Sequence, residues 1–364
     1  MQESRLRQSE SSRPCRRSPG GVCLPIHGRV KGKLRWQVLD ERGVPEIPRT
    51  PSGIPVGPVE GVEQDNLITD AGLDGLASFS YNSISTTGSS WRRFLAVGTG
   101  STAPDVTDTA LASEVQAAAS SGAFADGSSS YELDDDNDVW RATVVVTRLV
   151  TVTADRNLTE FGFRAQSIGS LHIRELLRDA EGDPITVSLL TGKTLRVDHT
   201  LTVELPAPEA GIPATVDFEE YDAGNNLVGT TPYDVIYGGH VQSSSPASGG
   251  IANVFAVWNP AGTSLAPVAY TSDQAYTRFD TTNPGSALTS LNGWQPYTPG
   301  SFQRTFRYTI PTGSLNTTWH AIKCGTGSGG DRAGLLIVFD NPATYTKQNT
   351  DTVRIGWVSS WSRA

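Results

Sequence analysis

From Thr194 to Leu205 the odd positions are Leu195, Val197, His199, Leu201, Val203 and Leu205, while the even ones are Thr, Arg, Asp, Thr, Thr and Glu. Successive side chains of an extended chain point to opposite sides, so this alternation predicts a strand with one buried and one wet face. His199 is the polar residue on the side the pattern buries. Thr143–Thr153, rich in Val and Thr, predicts a second long strand, because branched side chains suit a pleated surface. Short runs around Ile173, Ile185 and Leu195 are divided by Glu181–Pro184 and Thr191–Lys193, which read as turns. This spacing predicts an all-β chain built as a sandwich or a jelly-roll-like double sheet, not a parallel βαβ fold.

Helical spacing occurs in two places. Within Asp65–Ala77, Leu67, Ile68, Ala71 and Leu76 fall on one face behind Asp65 or Asn66 as N-cap. Asp108–Ala119 has Thr107 or Asp108 as a cap and an Ala-rich interior, which favours helix by propensity.

Laid on itself, the chain shows an internal repeat. Phe94–Pro104 recurs as Phe255–Pro267, Trp140–Thr143 lies beside Phe302–Thr305, and Asn157–Phe161 beside Leu315–Trp319. Leu195, Val197, His199, Leu201 and Val203 stand against Val353, Ile355, Trp357, Ser359 and Trp361 at one constant offset. The position of His199 opposite Trp357 points to packing, not to acid–base work. A strand and turn open each half, at Leu34–Gly43 and Thr215–Gly224. The expected organisation is a basic arm over 1–28, a first β-domain over 29–205, a Pro-rich linker over 206–213, and a second, divergent β-domain over 214–364.

A chain of 364 residues is long enough for two such domains. Its 37 Gly and 22 Pro supply turns, and its 18% charged residues are few for a helical protein. Charge is unevenly placed. Nine of the 29 basic residues, but only Glu3 and Glu10 of the 38 acidic ones, precede residue 36, leaving 20 basic against 36 acidic beyond it. An acidic body has no surface to neutralise phosphates, so specific nucleic-acid binding is not expected of it. The basic tail reads as a solvated terminus that could touch nucleic acid or an acidic neighbouring subunit. Cys15, Cys23 and Cys324 form neither a disulfide framework nor a zinc spacing. No apolar run is long enough for a membrane span, and the N-terminus lacks the apolar stretch of a secretory signal.

Candidate chemistry is sparse. Gly325–Gly330 matches GxGxxG, yet Gly334–Phe339 behind it reads as a strand, so a hairpin loop is expected in place of a phosphate site. Asp134, Asp135, Asp136 and Asp138 could offer oxygens to calcium, but Val139 and Val145 stand where the spacing of an EF-hand loop needs other residues. The acidic solvated turn is the favoured reading. His27, His172, His199, His240 and His320 show no metal-ligand spacing, and no nucleophile elbow is present. Glu219 and Glu220 are adjacent and point to opposite faces of a strand. Trp294, Tyr297, Trp319, Trp357 and Trp361 crowd the second half; they read as core, with an interface or a sugar-stacking surface as the rival.

Three pieces of wording carry a resemblance. They are Asn66–Leu73 (NLITDAGL), Val97–Pro104 (VGTGSTAP) with Thr109–Glu114, and Leu158–Arg164 (LTEFGFR), followed by the closing strand Leu195–Leu205. Together they resemble a group of tailed-bacteriophage virion proteins found in tails, baseplates and fibres. The resemblance covers residues 66–205, and the second half keeps the pattern without the wording. It implies a non-enzymatic structural protein of the particle, with no catalytic, cofactor-binding or metal residues to carry over. It also implies other virion subunits and its own copies, as a trimer or hexamer, as partners. The expected location is the virion, assembled in the host cytoplasm. Two rivals are a capsid decoration or head-fibre protein, and a carbohydrate-binding module that reads the host surface.

Overall fold

The computed structural model describes residues 22–77, 90–117, 124–134, 136–206, 212–222, 224, 226–240, 265–270, 285–287, 296–314, 316–326, 334–341, 344–350 and 352–364. The first half begins with β1 (Val22–Leu39), β2 (Pro45–Glu46), β3 (Val62–Asp65), β4 (Leu67–Ile68) and helix α1 (Asp70–Leu76). β5 (Phe94–Gly98), β6 (Glu114–Ala117), β7 (Phe124–Asp134), β8 (Val139–Thr151) and β9 (Arg156–Leu158) follow. It closes with β10 (Glu160–Arg164), β11 (Leu171–Leu176), β12 (Val187–Leu189) and β13 (Thr194–Pro206). The second half runs through β14 (Ile212–Tyr221), β15 (Leu227–His240), β16 (Leu265–Tyr270), β17 (Gly285–Ala287) and β18 (Gln303–Ile310). After these come β19 (Thr318–Trp319), β20 (Ala321–Thr326), β21 (Gly334–Asn341), β22 (Tyr345–Thr346) and β23 (Thr352–Arg363). The chain is all-β and sandwich-like, as its alternation predicts.

β13 shows the cause. Its odd positions from Leu195 to Leu205 are buried, and the even ones are half-exposed apart from Thr202. It lies antiparallel between β1 and β8, with Leu195 opposite Val38 and Val150, and Leu201 opposite Gly32 and Val144. A second sheet, in the order β4-β11-β10-β5-β6, covers this face. The chain changes sheets at Asn66, since β3 pairs with β1 and β4 with β11. The Asn66 side chain lies over Gly32, where an added Cβ would meet its Oδ1 at 2.0 Å. A larger residue at position 32 would have to push the Asn66 side chain aside.

The pairing order recurs in the second half. β14 pairs with β23 and β23 with β18, as β1 pairs with β13 and β13 with β8. β15 leaves β14 for β21, which leads to β20, β16 and β17, as β4 leads to β11, β10, β5 and β6. The two-stranded pair β19–β22 matches β9–β12. Even the opening turns agree: the Asp40 Oδ1 accepts from the amides of Arg42 and Val44, and the Asp222 Oδ1 from that of Asn226. One apolar cluster runs through both halves, from Trp36, Trp91 and Phe163 to Trp319, Tyr345 and Trp361.

Several boundaries differ from the sequence reading. Residues 22–28, expected in the arm, form a strand: Val22–Val30 runs parallel to Ile355–Arg363. β14 pairs with β23 only at Thr352 and Val353, so the later backbone groups of β23 need another partner on that side, and β1 supplies it. The expected linker shrinks, because Pro206 ends β13 while Ile212 and Pro213 open β14; residues 207–211 lie outside the described residues. The first helix starts at Asp70 and not near Asp65, since residues 62–68 are taken by sheet pairing and the Thr69 side chain accepts the Gly72 amide as N-cap. The second helix does not form over Asp108–Ala117, where turns lead into β6; residues 118–119 lie outside the described residues. Pairing also aligns Trp319 with Leu158, three residues from the Phe161 that the repeat assigned. Of Phe255–Pro267, only Leu265–Pro267 is described, within β16, the strand that answers β5.

Candidate functional site

The polar chemistry gathers in three places, and the first is a buried ion pair. Glu160 opens β10 and is fully buried. Its carboxylate accepts from the amides of Gly100 (3.0 Å), Ala112 (3.1 Å) and Ser113 (2.8 Å). Arg174, from the neighbouring β11, donates to it through Nε (3.2 Å) and Nη2 (3.0 Å). The same guanidinium binds the Thr102 carbonyl and Asp108, and Arg164 grips Glu114 with both terminal nitrogens at 2.9 and 2.7 Å. A Cβ on Gly98 or Gly100 would meet Glu160 Oε1 at 2.6 or 2.4 Å, which explains the two glycines in that loop. Val97–Pro104, Thr109–Glu114 and Leu158–Arg164 therefore converge on one salt bridge. This convergence also stops the second helix: the Glu160 carboxylate draws the amides of Ala112 and Ser113 into its own bonds, and Leu111 is buried.

The second place is the dock between helix α1 and the C-terminal part of the chain. Trp361 Nε1 donates to the Leu73 carbonyl at 2.8 Å, and Arg304 Nη1 to that of Ala77 at 3.0 Å. Asp74 accepts from the Tyr297 hydroxyl and from the Gly300 amide. Arg363 pairs with Asp70 and binds the Ile68 carbonyl. Tyr297 stacks on Trp361 at 5.9 Å between ring centres. The wording around Asn66–Leu73 thus builds a helix whose polar groups hold the other half of the molecule.

The third is a basic cluster in the core of the first half. Arg92 donates through Nη1 to the His199 carbonyl and to its Nδ1, the latter at 2.5 Å. A guanidinium has no lone pair to offer, so Nδ1 must accept and the imidazole is neutral with its proton on Nε2. Arg148 donates to the carbonyls of Arg92 and Arg93, and His172 Nδ1 lies 2.8 Å from the Trp91 carbonyl. Burial, with the charges of Arg92 and Arg148, holds His199 well below the ordinary histidine range. Burial likewise pushes His172 down to about 4, against the pull of the Trp91 carbonyl. Burial and the neighbouring Arg148 bring Arg92 down to about 9.

The remaining candidates are separated from one another. The Asp134 carboxylate is taken by Asn137 and Arg141, whose guanidinium also reaches Glu132 and Glu204; Asp135 lies outside the described residues. Among the described residues no group of three His, Cys, Asp or Glu is arranged for a metal. His27 is exposed beside Ser360 and Ser362, and Glu220 meets the Tyr345 hydroxyl at 3.4 Å. Trp319 and Trp361 are buried, Tyr297 is half-buried, and His320 is half-buried. Trp294, residues 327–330 and the side chains of Glu219, His240, Cys324 and Trp357 lie outside the described set. The element behind Gly325 is β21, a strand and no phosphate-binding helix. An open groove of 530 Å³, lined by Glu63, Asp65, Asn66, Glu175, Arg178 and Asp179, is acidic, and its Arg178 is held by Glu175 and the Gly182 carbonyl.

Glu160, Arg174, Arg92 and Arg148 were not singled out by the sequence reading. A signal for the first pair exists: every residue of β10 and β11 is buried, and charges in a strand covered on both faces must pair internally. Compared with protein-family models, with curated proteins and with solved structures, the chain matches none.

Proposed function

We propose that the chain is a structural component of a tailed-phage particle, in the tail, baseplate or fibre region, and works by contact between subunits. The observation that carries this reading is the use made of the wording shared with that group. Its charged and small residues form a closed salt bridge around Glu160 and Arg174, and a helix that docks the two halves. Groups so enclosed have no face left for a substrate, and they suit a part whose task is to hold shape under load. Trp319 and Trp361, both buried, bear on the sugar-binding rival, because a stacking platform needs exposed rings.

In this reading residues 22–206 and 212–364 act as two lobes of one plan, and three copies present six similar lobes to a six-fold ring. Quantitative mass spectrometry of gradient-purified particles tests it. A fixed copy number that is a multiple of three is expected; a chain lost from the particles on purification sinks the proposal. Locating the chain on the head instead would transfer the same structural role to a decoration protein.

A further inference from the structure

The large sheet ends at β7, and among the described residues no strand pairs with its outer edge. An unpaired edge is a row of unsatisfied backbone donors and acceptors, and proteins usually blunt it with Lys, Pro or a bulge. β7 has one bulge near its start, between Ala125 and Gly127, and then pairs regularly with β8 from Gly127 to Asp134. Phe124–Asp134 contains neither Lys nor Pro. Residues 124–140 carry Asp126, Glu132, Asp134, Asp135, Asp136 and Asp138 and no basic residue at all. Arg141 answers Glu132 and Asp134, but it is shared with Glu204. The edge is therefore long and regular, and the acidic residues gather at its Asp134 end and in the turn beyond it.

The segment before β1 has the opposite character. Residues 1–21 hold Arg5, Arg7, Arg13, Arg16 and Arg17 against Glu3 and Glu10. Gln2–Arg13 is free of Pro and Gly, and it is longer than the regular edge it would meet. The position where this segment joins the fold matters too. Arg29, Glu204, Arg141 and Glu132 stand in one row across β1, β13, β8 and β7. Val22 lies seven residues beyond that row, about 23 Å at the rise of a strand. That is the end of the sheet where the acidic turn after β7 sits. At Val22, beside Ile355, the pairing of β1 ends, and from Val353 the same side of β23 is taken by β14, so that side of β23 offers the residues before Val22 no continuation.

We propose that the outer edge of β7 accepts the basic N-terminal segment, residues 1–21, of a neighbouring copy as an added strand. Backbone hydrogen bonds would supply the grip and the arginines the selectivity, as in strand addition generally. Donation from copy to copy is head-to-tail, which gives a ring when the rotation between copies closes, and in that form it suits the assembly reading on which this proposal rests.

Two full-length variants test it, with all five arginines before residue 22 changed to Glu or to Lys. Neither alters the described fold, so loss of folding does not confuse the outcome. Sedimentation velocity and amide exchange over 127–134 are followed across a dilution series. The native chain and the Lys variant are expected to associate, with edge amides slowed about tenfold or more and released on dilution. The Glu variant is expected to be a monomer with a freely exchanging edge. Association and protection unchanged in the Glu variant would overturn the strand donation and leave the assembly reading standing. Protection that persists at every dilution in a monomer would mean the segment folds back on its own chain, which also overturns it. A native chain that stays monomeric with an open edge would remove both.

Discussion

Glu160 is fully buried, and among the described residues three backbone amides and Arg174 stabilise its charge. Without Glu160, Arg174 keeps only Asp108 and the Thr102 carbonyl, and the amides of Gly100, Ala112 and Ser113 lose their acceptor; breaking a buried pair costs about 3–5 kcal/mol. Glu160→Ala should lower stability to urea by that amount. In the second half, pairing sets Ala321 and Leu336 at the equivalent positions. The double change Glu160→Ala with Arg174→Leu should therefore recover much of the loss, and strict additivity of the two single changes would contradict this. The histidines give a second residue-scale prediction. His172 falls from 6.5 to about 4 on folding, so below pH 6.5 the unfolded chain takes up a proton that the folded chain refuses. Its contribution is complete above pH 6.5 and declines as pH falls towards 4, by about 3 kcal/mol in all. His199 acts in the same direction, because a proton there would stand beside Arg92 and Arg148. A flat melting temperature between pH 6.5 and 4.5 would refute this. The sequence alone placed His199 on a buried face, but the arginines around it come from distant segments that no local pattern joins.

At the scale of elements, helix α1 has seven residues, too few to be stable on propensity alone. Its order comes from Leu73 and Leu76 in the core and from the second half bound to its carbonyls and carboxylates. A double-mutant cycle between Asp74→Ala and Tyr297→Phe should show coupling of about 1 kcal/mol or more; independent effects would mean that the hydroxyl does not hold the helix. The long strands β8 and β13 were legible because their periodicity reflects direct burial. The stretch Asp108–Ala117 misled for the converse reason. Its alanines favour helix, yet the Glu160 carboxylate, far along the chain, binds Ala112 and Ser113 and fixes a loop. The repeat was visible in β13 and β23, where core-facing residues match, and it blurred at Trp319, where connections differ in length.

For the whole molecule, the sheet passes without a break from β13 through β1 to β23, and one apolar cluster spans both halves. Calorimetry should accordingly show one unfolding transition; two well-separated ones would mean that the halves are independent despite the shared sheet. The strand formed by Val22–Gly28 was hidden from the sequence reading, because its reason lies in the part of β23 that β14 leaves unpaired. A two-lobed body joined in this way shares one sheet and one core, and its proposed role is to be repeated around an axis. A reconstruction of the phage particle at a resolution that shows strands tests that role most directly. The account predicts this fold in the tail, baseplate or fibre region, in symmetric copies with corresponding lobes in corresponding places. Particles in which no density fits the fold would contradict it.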